Sequence, residues 1–153
     1  MVNEGNFYKN TSKRKVVSAG GIVIWRYNND IFVCVVKRRN KGVWIIPRGR
    51  VEKNENMEET VIREIKEETG IEAKIIKKIG VINYSFYSPK DKVVYDKSVH
   101  FYLLKLENQL DFSPNEEIEE RLWISLSNVK DILSYEAEKK IIDKVKNFLK
   151  YNE

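Results

Sequence analysis

Gly49-Arg50-Val51-Glu52-Lys53-Asn54-Glu55, followed at a distance by Arg63-Glu64-Ile65-Lys66-Glu67-Glu68-Thr69-Gly70-Ile71, is the stretch whose reading decides this chain. Across it the apolar period becomes helical. Met57, Val61, Ile62, Ile65 and Thr69 form a stripe that predicts a helix over residues 55–69. Gly70 suits the C-cap, where a left-handed backbone is needed. Residues three and four apart share a helix face, so Glu64, Glu67 and Glu68 converge on one patch beside the stripe. Like charges so placed cost about 0.2–0.5 kcal/mol per pair. Position 60 is Thr and position 72 is Glu, so the obvious neutralising lysines are absent. The macrodipole disfavours carboxylates in the last turns, and Arg63 answers only part of this. A divalent cation would remove the penalty. Hard oxygen ligands favour magnesium or manganese, which also bind phosphate oxygens. A turn at Pro47-Arg48-Gly49-Arg50 precedes the helix, and Lys37-Arg38-Arg39 with Lys41 makes a dense basic cluster before it. Carboxylates for metal plus cations for phosphate suit hydrolysis of a phosphoanhydride.

Outward from this stretch the chain reads as strands, a helix, strands and a helix. Val16 to Trp25 is rich in β-branched residues, with Ala19-Gly20-Gly21 at its centre, where another backbone could approach closely. Tyr27 to Asp30 is a turn, Ile31 to Val36 the return strand, and Val43 to Ile46 a short apolar run stopped by Pro47. After the helix, strands are expected over 74–79, 81–87 and 93–106, with a hairpin loop at 88–92. Residues 108–120 read as loop and Leu122-Trp123-Ile124 as a short strand. Residues 134–151 form an amphipathic helix with Ala137, Ile141, Ile142, Val145, Phe148 and Leu149 on its buried side. This order predicts an α/β fold, a mixed sheet with helices packed on its faces.

The composition agrees. The chain has 153 residues, 42% hydrophobic and 33% charged, which suits one soluble domain and excludes a disordered or collagen-like chain. Residues 1–13 read as a polar arm and 14–151 as a single domain. No apolar run approaches the ~20 residues of a membrane span, and no signal peptide is expected, so the expected location is cytoplasmic, with no membrane partner. The single cysteine, Cys34, excludes an internal disulfide and a multi-cysteine zinc site, and reads as a small core residue. A formal charge of +5 suits polyanionic partners such as polyphosphates or RNA.

The stretch 49–71 resembles the Nudix box of the MutT-like Nudix hydrolases. Gly49, Glu55, Arg63, Glu64, Ile65, Glu67, Glu68, Gly70 and Ile71 fill every fixed position of that pattern. The resemblance covers roughly residues 15–150 and implies an α/β/α sandwich with a loop-helix-loop catalytic motif. It implies that Glu64, Glu67 and Glu68 ligate Mg2+ or Mn2+, with the backbone carbonyl of Arg48. It implies that Glu55 pairs with Arg63 to brace the loop, and that Gly49 lets the backbone approach the metal. The family cleaves a nucleoside diphosphate linked to another moiety by attack of water on phosphorus. Its general base varies, and here Glu67 and Glu117, six residues before Trp123, are both candidates, with Glu116, Glu119 and Glu120 close by. Asn54 stands where members often carry Gly; Asn tolerates left-handed backbone, so no loss is expected.

Trp44 to Gly49 resembles the segment before the box in diadenosine polyphosphate hydrolases and diphosphoinositol polyphosphate phosphohydrolases. The first group tends to carry a Tyr about sixteen residues past the box, and Tyr87 lies sixteen after Ile71. That resemblance implies a dinucleoside polyphosphate substrate such as diadenosine tetraphosphate, with Tyr87 on adenine and Lys41, Arg48, Arg50 and Lys97 on the polyphosphate. A nucleoside triphosphate of the 8-oxo-dGTP type, or an RNA 5′-triphosphate, is the alternative substrate. A nucleotide-sensing module without turnover is a remote alternative. Several family members dimerise, so either a monomer or a homodimer is expected. Trp44 and His100 read as structural.

Overall fold

Two asparagines at positive φ, Asn28 and Asn29, turn β1 (Lys13–Tyr27) into β2 (Asp30–Arg38) in the computed structural model, which describes residues 12–152. The two strands pair only between Ile24–Tyr27 and Asp30–Val33. Beyond that they part, and residues 44–50 fill the opening. There β3 (Trp44–Ile45) pairs with Lys37 and Val36 of β2, and β4 (Arg48–Arg50) pairs with Gly20 to Ser18 of β1. The turn expected at Pro47 to Arg50 is therefore mostly strand, because the parted edge of β1 offers it a ladder. The close approach expected at the centre of β1 is made by Pro47. The Gly21 N–H donates to its carbonyl at 3.1 Å, and a Cβ on Gly20 would stand 2.2 Å from the same oxygen.

The sheet has seven strands in the order β3-β2-β1-β6-β5, with β4 on β1 and β7 (Ile118–Ser125) on β2. It is mixed: β6 (Val93–Gln109) runs parallel to β1 and antiparallel to β5 (Ile71–Ser88). Helix α1 (Met57–Thr69) lays Val61 and Ile65 on Ala19, Val23, Tyr102 and Leu104. On the other face α3 (Glu136–Asn152) lays Ile141, Ile142, Val145 and Leu149 on Ile22, Val99, Phe101 and Leu103. Each such buried aliphatic contributes about 1.5–3 kcal/mol. The result is the α/β/α sandwich the sequence predicted, with a short helix α2 (Val129–Ile132) before α3.

Several boundaries differ from expectation for local reasons. The two strands expected at 74–79 and 81–87 are one strand, β5, which takes up its irregularity in register shifts around Ile75 to Gly80. The loop expected at 108–120 is shortened from both ends by β6 and β7. Helix α1 begins at Met57, because Asn56 caps it and leaves Glu55 outside. Ile62, expected on the buried stripe, is 39% exposed, whereas Glu68 is buried. Ala137 is exposed and its neighbour Glu138 is buried in its place. The arm expected over 1–13 lies outside the described residues except for Ser12 and Lys13, and Lys13 already opens β1.

Candidate active site

Helix α1 is held at both ends. The Asn56 side chain accepts the Glu59 N–H at 2.8 Å and the Glu59 carboxylate accepts the Asn56 N–H at 3.2 Å, a reciprocal capping box. Gly70 closes the helix at φ 74, and Asn54 takes φ 69 in the loop before it, as its side chain permits. Arg63 ties the loop to the helix. Its Nε and Nη2 donate to the two oxygens of Glu55 at 2.7 and 2.9 Å, and Nη2 also donates to the Arg50 carbonyl at 3.1 Å. Glu55 further accepts from the Thr60 hydroxyl at 2.6 Å and the Glu52 N–H at 3.1 Å. These donors, Arg63 first, hold the Glu55 carboxyl down at about 2 and push Arg63 up.

The other face of Arg63 meets the acidic patch. Its Nη1 donates to Glu64 at 2.7 Å and to Glu67 at 3.2 Å. Glu68 has no such partner. It is buried, accepts the Arg48 N–H at 3.3 Å, and is pushed up to about 8 by burial and then by the charge of Glu64. Burial also raises Glu64, against the pull of Arg63. Glu64, Glu67 and Glu68 line a cleft of about 370 Å³ with Asn115, Glu116 and Glu117. The loop bearing Glu117 is fixed: Asn115 Oδ1 accepts the N–H groups of Glu117 and Ile118 at 2.8 Å each, and the Glu117 carbonyl accepts the Arg39 N–H at 2.9 Å.

Among the described residues no three acidic, histidine or cysteine side chains close on one point as a finished ligand set. Glu64 and Glu67 are instead drawn onto Arg63 Nη1, the cation at hand. The residues nonetheless fit a divalent ion. Glu68 is a buried carboxyl group with no ion pair among the described residues, the donors are hard oxygens, and Gly49 leaves room for them. A Cβ on Gly49 would stand 2.0 to 2.3 Å from the Glu64 carboxyl group.

The basic residues expected to meet phosphate divide. Lys97 is half-buried and brought down to about 8, by burial first and then by Arg48, Arg38, Arg50 and Lys41, so these cations share one field. The Arg48 side chain, however, is engaged elsewhere. Its Nε donates to the Ile46 carbonyl at 3.1 Å, its Nη2 donates to Glu138, and its guanidinium lies 5.4 Å from the Phe101 ring centroid. Glu138, 1% exposed, also accepts the Ile46 N–H at 2.8 Å. Sequence reading missed Glu138. The signal was a carboxylate in the apolar stripe, three, four and seven residues before Ile141, Ile142 and Val145. Tyr87 pairs with Val94, and by strand alternation faces away from Lys97. The ring beside Lys97 is Tyr84, its cross-strand partner, with Lys97 Nζ 6.0 Å from the ring centroid. Trp44 packs against the α3 core, Cys34 is buried with its thiol pushed up to about 12, and His100 Nε2 lies 3.2 Å from the Ser98 hydroxyl.

The NUDIX domain profile matches residues 15–145 of the chain. The chain belongs to the Nudix hydrolase family. Its Nudix box is the loop, helix α1 and Gly70 turn described above. Among Nudix relatives, the ADP-ribose pyrophosphatase of Methanocaldococcus jannaschii is 32% identical over 130 residues, 83% of this chain and 71% of that protein. The 8-oxo-(d)GTP phosphatase of Mycolicibacterium smegmatis is 27% identical over 143 residues, 86% of this chain and 42% of that protein. The chain spans about half the length of the mycobacterial relatives it matches. Among Nudix structures, the C. elegans Ap4A hydrolase binary complex superposes with a TM-score of 0.73 at 26% identity, covering 88% of this chain and 97% of that one. Among the described residues no helix is long and apolar enough to cross a membrane.

Proposed function

We propose that the chain is a divalent-metal-dependent pyrophosphohydrolase of dinucleoside polyphosphates, with diadenosine tetraphosphate the leading substrate. The observation that carries this reading is the set of cations whose charges bear on Lys97, two of which also meet the glutamates, Arg48 through its N–H to Glu68 and Arg38 through its charge, with Tyr84 exposed beside Lys97. Several cations in one field suit several phosphates, and an open ring beside them suits a base. The likeness to the C. elegans Ap4A hydrolase supports the same substrate class.

In this reading Glu64, Glu67 and Glu68, with the Arg48 carbonyl, hold Mg2+ or Mn2+. The ion supplies Lewis-acid charge for the phosphoryl oxygens and acidifies water. Water oxygen bonds to phosphorus, the bridging P–O bond breaks, and one proton passes to a carboxylate. We assign that proton to Glu117, which stands on a separate loop and whose charge reaches both Glu64 and Glu68. Glu67 is the second candidate. Lys97, Arg50 and Lys41 hold the polyphosphate, Tyr84 stacks on the base, and Glu55, Arg63, Gly49 and Gly70 keep the loop and helix in place. The Arg48 guanidinium serves to anchor β4 through Glu138.

The test is a turnover panel with Mg2+ and then Mn2+, wild type beside Glu68→Gln. Diadenosine tetraphosphate, 8-oxo-dGTP and ADP-ribose are supplied in parallel and the products separated by anion exchange. The expected outcome is ATP plus AMP from the dinucleotide, lost in the variant. A preference for 8-oxo-dGTP or ADP-ribose would keep the chemistry and overturn the substrate.

A further inference from the structure

The loop that carries Glu117 and the turn between β2 and β3 are tied together by one residue, Arg39. Strand β7 pairs with β2 in register until Lys37 meets Glu120 and Arg38 meets Ile118, which leaves Glu119 as an extra residue. Such a bulge ends a regular ladder and re-aims the chain beside it. Beyond it, residues 115–117 run as a loop, and Asn115, Glu116 and Glu117 line the cleft with Glu64, Glu67 and Glu68. Asn115 shapes the loop from within. Its side chain accepts the N–H groups of Glu117 and Ile118, and its own N–H donates to the Ile118 carbonyl at 3.0 Å. The Asn115 carbonyl is met from outside by Arg39, whose Nε donates to it at 2.9 Å. The Arg39 N–H donates to the Glu117 carbonyl, also at 2.9 Å. Backbone and side chain of Arg39 thus grip the loop at two points.

Arg39 has firm support of its own. The Arg38 N–H donates to the Val43 carbonyl and the Arg38 carbonyl accepts the Gly42 N–H, each at 2.9 Å, with Gly42 at φ 62. The same turn carries Arg38 and Lys41, whose charges bear on Lys97. The far end of the loop is held separately, to helix α1. There the Leu110 N–H donates to the Gly70 carbonyl at 2.8 Å, and Arg121 Nη1 donates to the Thr69 and Leu110 carbonyls at 2.7 and 3.2 Å. A restraint at the Glu117 end answers a definite force. Glu116 and Glu117 share the cleft with three further carboxylates, and the Glu117 charge bears on both Glu64 and Glu68. Like charges so gathered repel and would drive an unheld loop outward. An exposed arginine that served solubility alone would not direct its Nε to a carbonyl seventy-six residues away.

We propose that Arg39 is a positioning residue: it clamps residues 115–117 against the glutamate cleft and so sets where the Glu117 carboxylate meets the attacking water. The inference rests on the assignment of the water proton to Glu117. It makes the β2–β3 turn and the Glu117 loop one body, so the cations of that turn and the carboxylate keep a fixed spacing. Arg39 acts on turnover through Glu117 and takes no part in holding phosphate.

The test uses the full chain, wild type beside Arg39→Ala, Glu117→Gln and the double variant, with turnover in Mg2+ measured on the substrate that the panel prefers. Arg39→Ala is expected to lower kcat about tenfold and to leave KM within about twofold. Glu117→Gln should lower kcat about a hundredfold. Adding Arg39→Ala to it should cost less than about twofold more, because the group being positioned is gone. Amide hydrogen exchange in EDTA reads the clamp without turnover. The Glu117 and Ile118 amides should exchange about tenfold faster in Arg39→Ala, while the Leu110 amide, held by Gly70, keeps its rate. A KM that rises with kcat unchanged would make Arg39 a phosphate contact. A loss of about tenfold on top of Glu117→Gln would make its effect independent of Glu117. Either result overturns the proposal, as does unchanged exchange. If Glu117→Gln turns over like wild type while exchange still rises in Arg39→Ala, the proton assignment fails and the clamp stands.

Discussion

The surroundings of Glu68 hold its carboxyl neutral until a cation arrives. Its folded pKa of about 8 lies above the ordinary carboxyl value of 4.5, so in metal-free protein the penalty is absent below pH 4.5. The penalty grows as pH rises from about 4.5 and is complete above about 8. Metal-free Glu68→Gln is therefore expected to melt at a higher temperature than wild type at pH 9 and at a similar one at pH 4.5, as differential scanning calorimetry in EDTA can check. The same substitution should lower kcat by at least about a hundredfold in Mg2+, as removal of charge from a metal site does. Lys97 titrates with the opposite sign. It loses its charge as pH rises through about 8, so KM for a polyphosphate should climb above that pH. Lys97→Arg, which stays charged, should flatten the climb. A KM that is level from pH 7 to 9.5 in wild type would remove Lys97 from the phosphate site. Gly49→Ala drives a methyl into the Glu64 carboxylate and should raise the Mg2+ concentration needed for half-maximal rate.

At the scale of elements, the joint that sets the site is between α3 and the β3–β4 segment. Glu138 reaches from α3 to the Ile46 N–H and the Arg48 guanidinium, and the Arg48 N–H in turn meets Glu68. Removing one partner of a buried ion pair typically costs about 3–5 kcal/mol, because the other is left uncompensated. Glu138→Ala should fall in that range by urea denaturation, and Glu138→Gln, which keeps an acceptor for Ile46, should cost less. A loss below 1 kcal/mol for Glu138→Ala would mean that the pair does not tie the elements together. The N-terminal joint of α1 is simpler: Asn56→Ala removes the cap and should cost about 1 kcal/mol.

Across the whole molecule, the parting of β1 and β2 admits the 44–50 segment, which carries Gly49 to α1 with one backbone edge and Arg48 to α3 with its side chain. Arg48 thus joins the two sides of the sheet, its N–H on Glu68 and its guanidinium charge bearing on Lys97. Binding of Mg2+ should raise the melting temperature of wild type by mass action, less so in Glu68→Gln. It should also release a proton near pH 7, measurable as a buffer-dependent binding enthalpy in titration calorimetry. An equal enthalpy in buffers of different ionisation heat would show Glu68 to be already ionised.

The loop, helix and glutamates of residues 49–71 were legible in the sequence because helix period, capping and like-charge crowding are local facts. The order of strands and helices was legible for the same reason, as was the close approach at Ala19-Gly20-Gly21. The register across three strands was not. Only pairing with Lys97 puts Tyr84 beside it and turns Tyr87 to the opposite face, and a distance of sixteen residues along the chain carries no information about a partner strand. Nor could the sequence assign Arg48 its partner, since Glu138 lies ninety residues away and meets it only when α3 packs on the sheet. Local periodicity decides which residues share an element; tertiary packing decides which elements share a site.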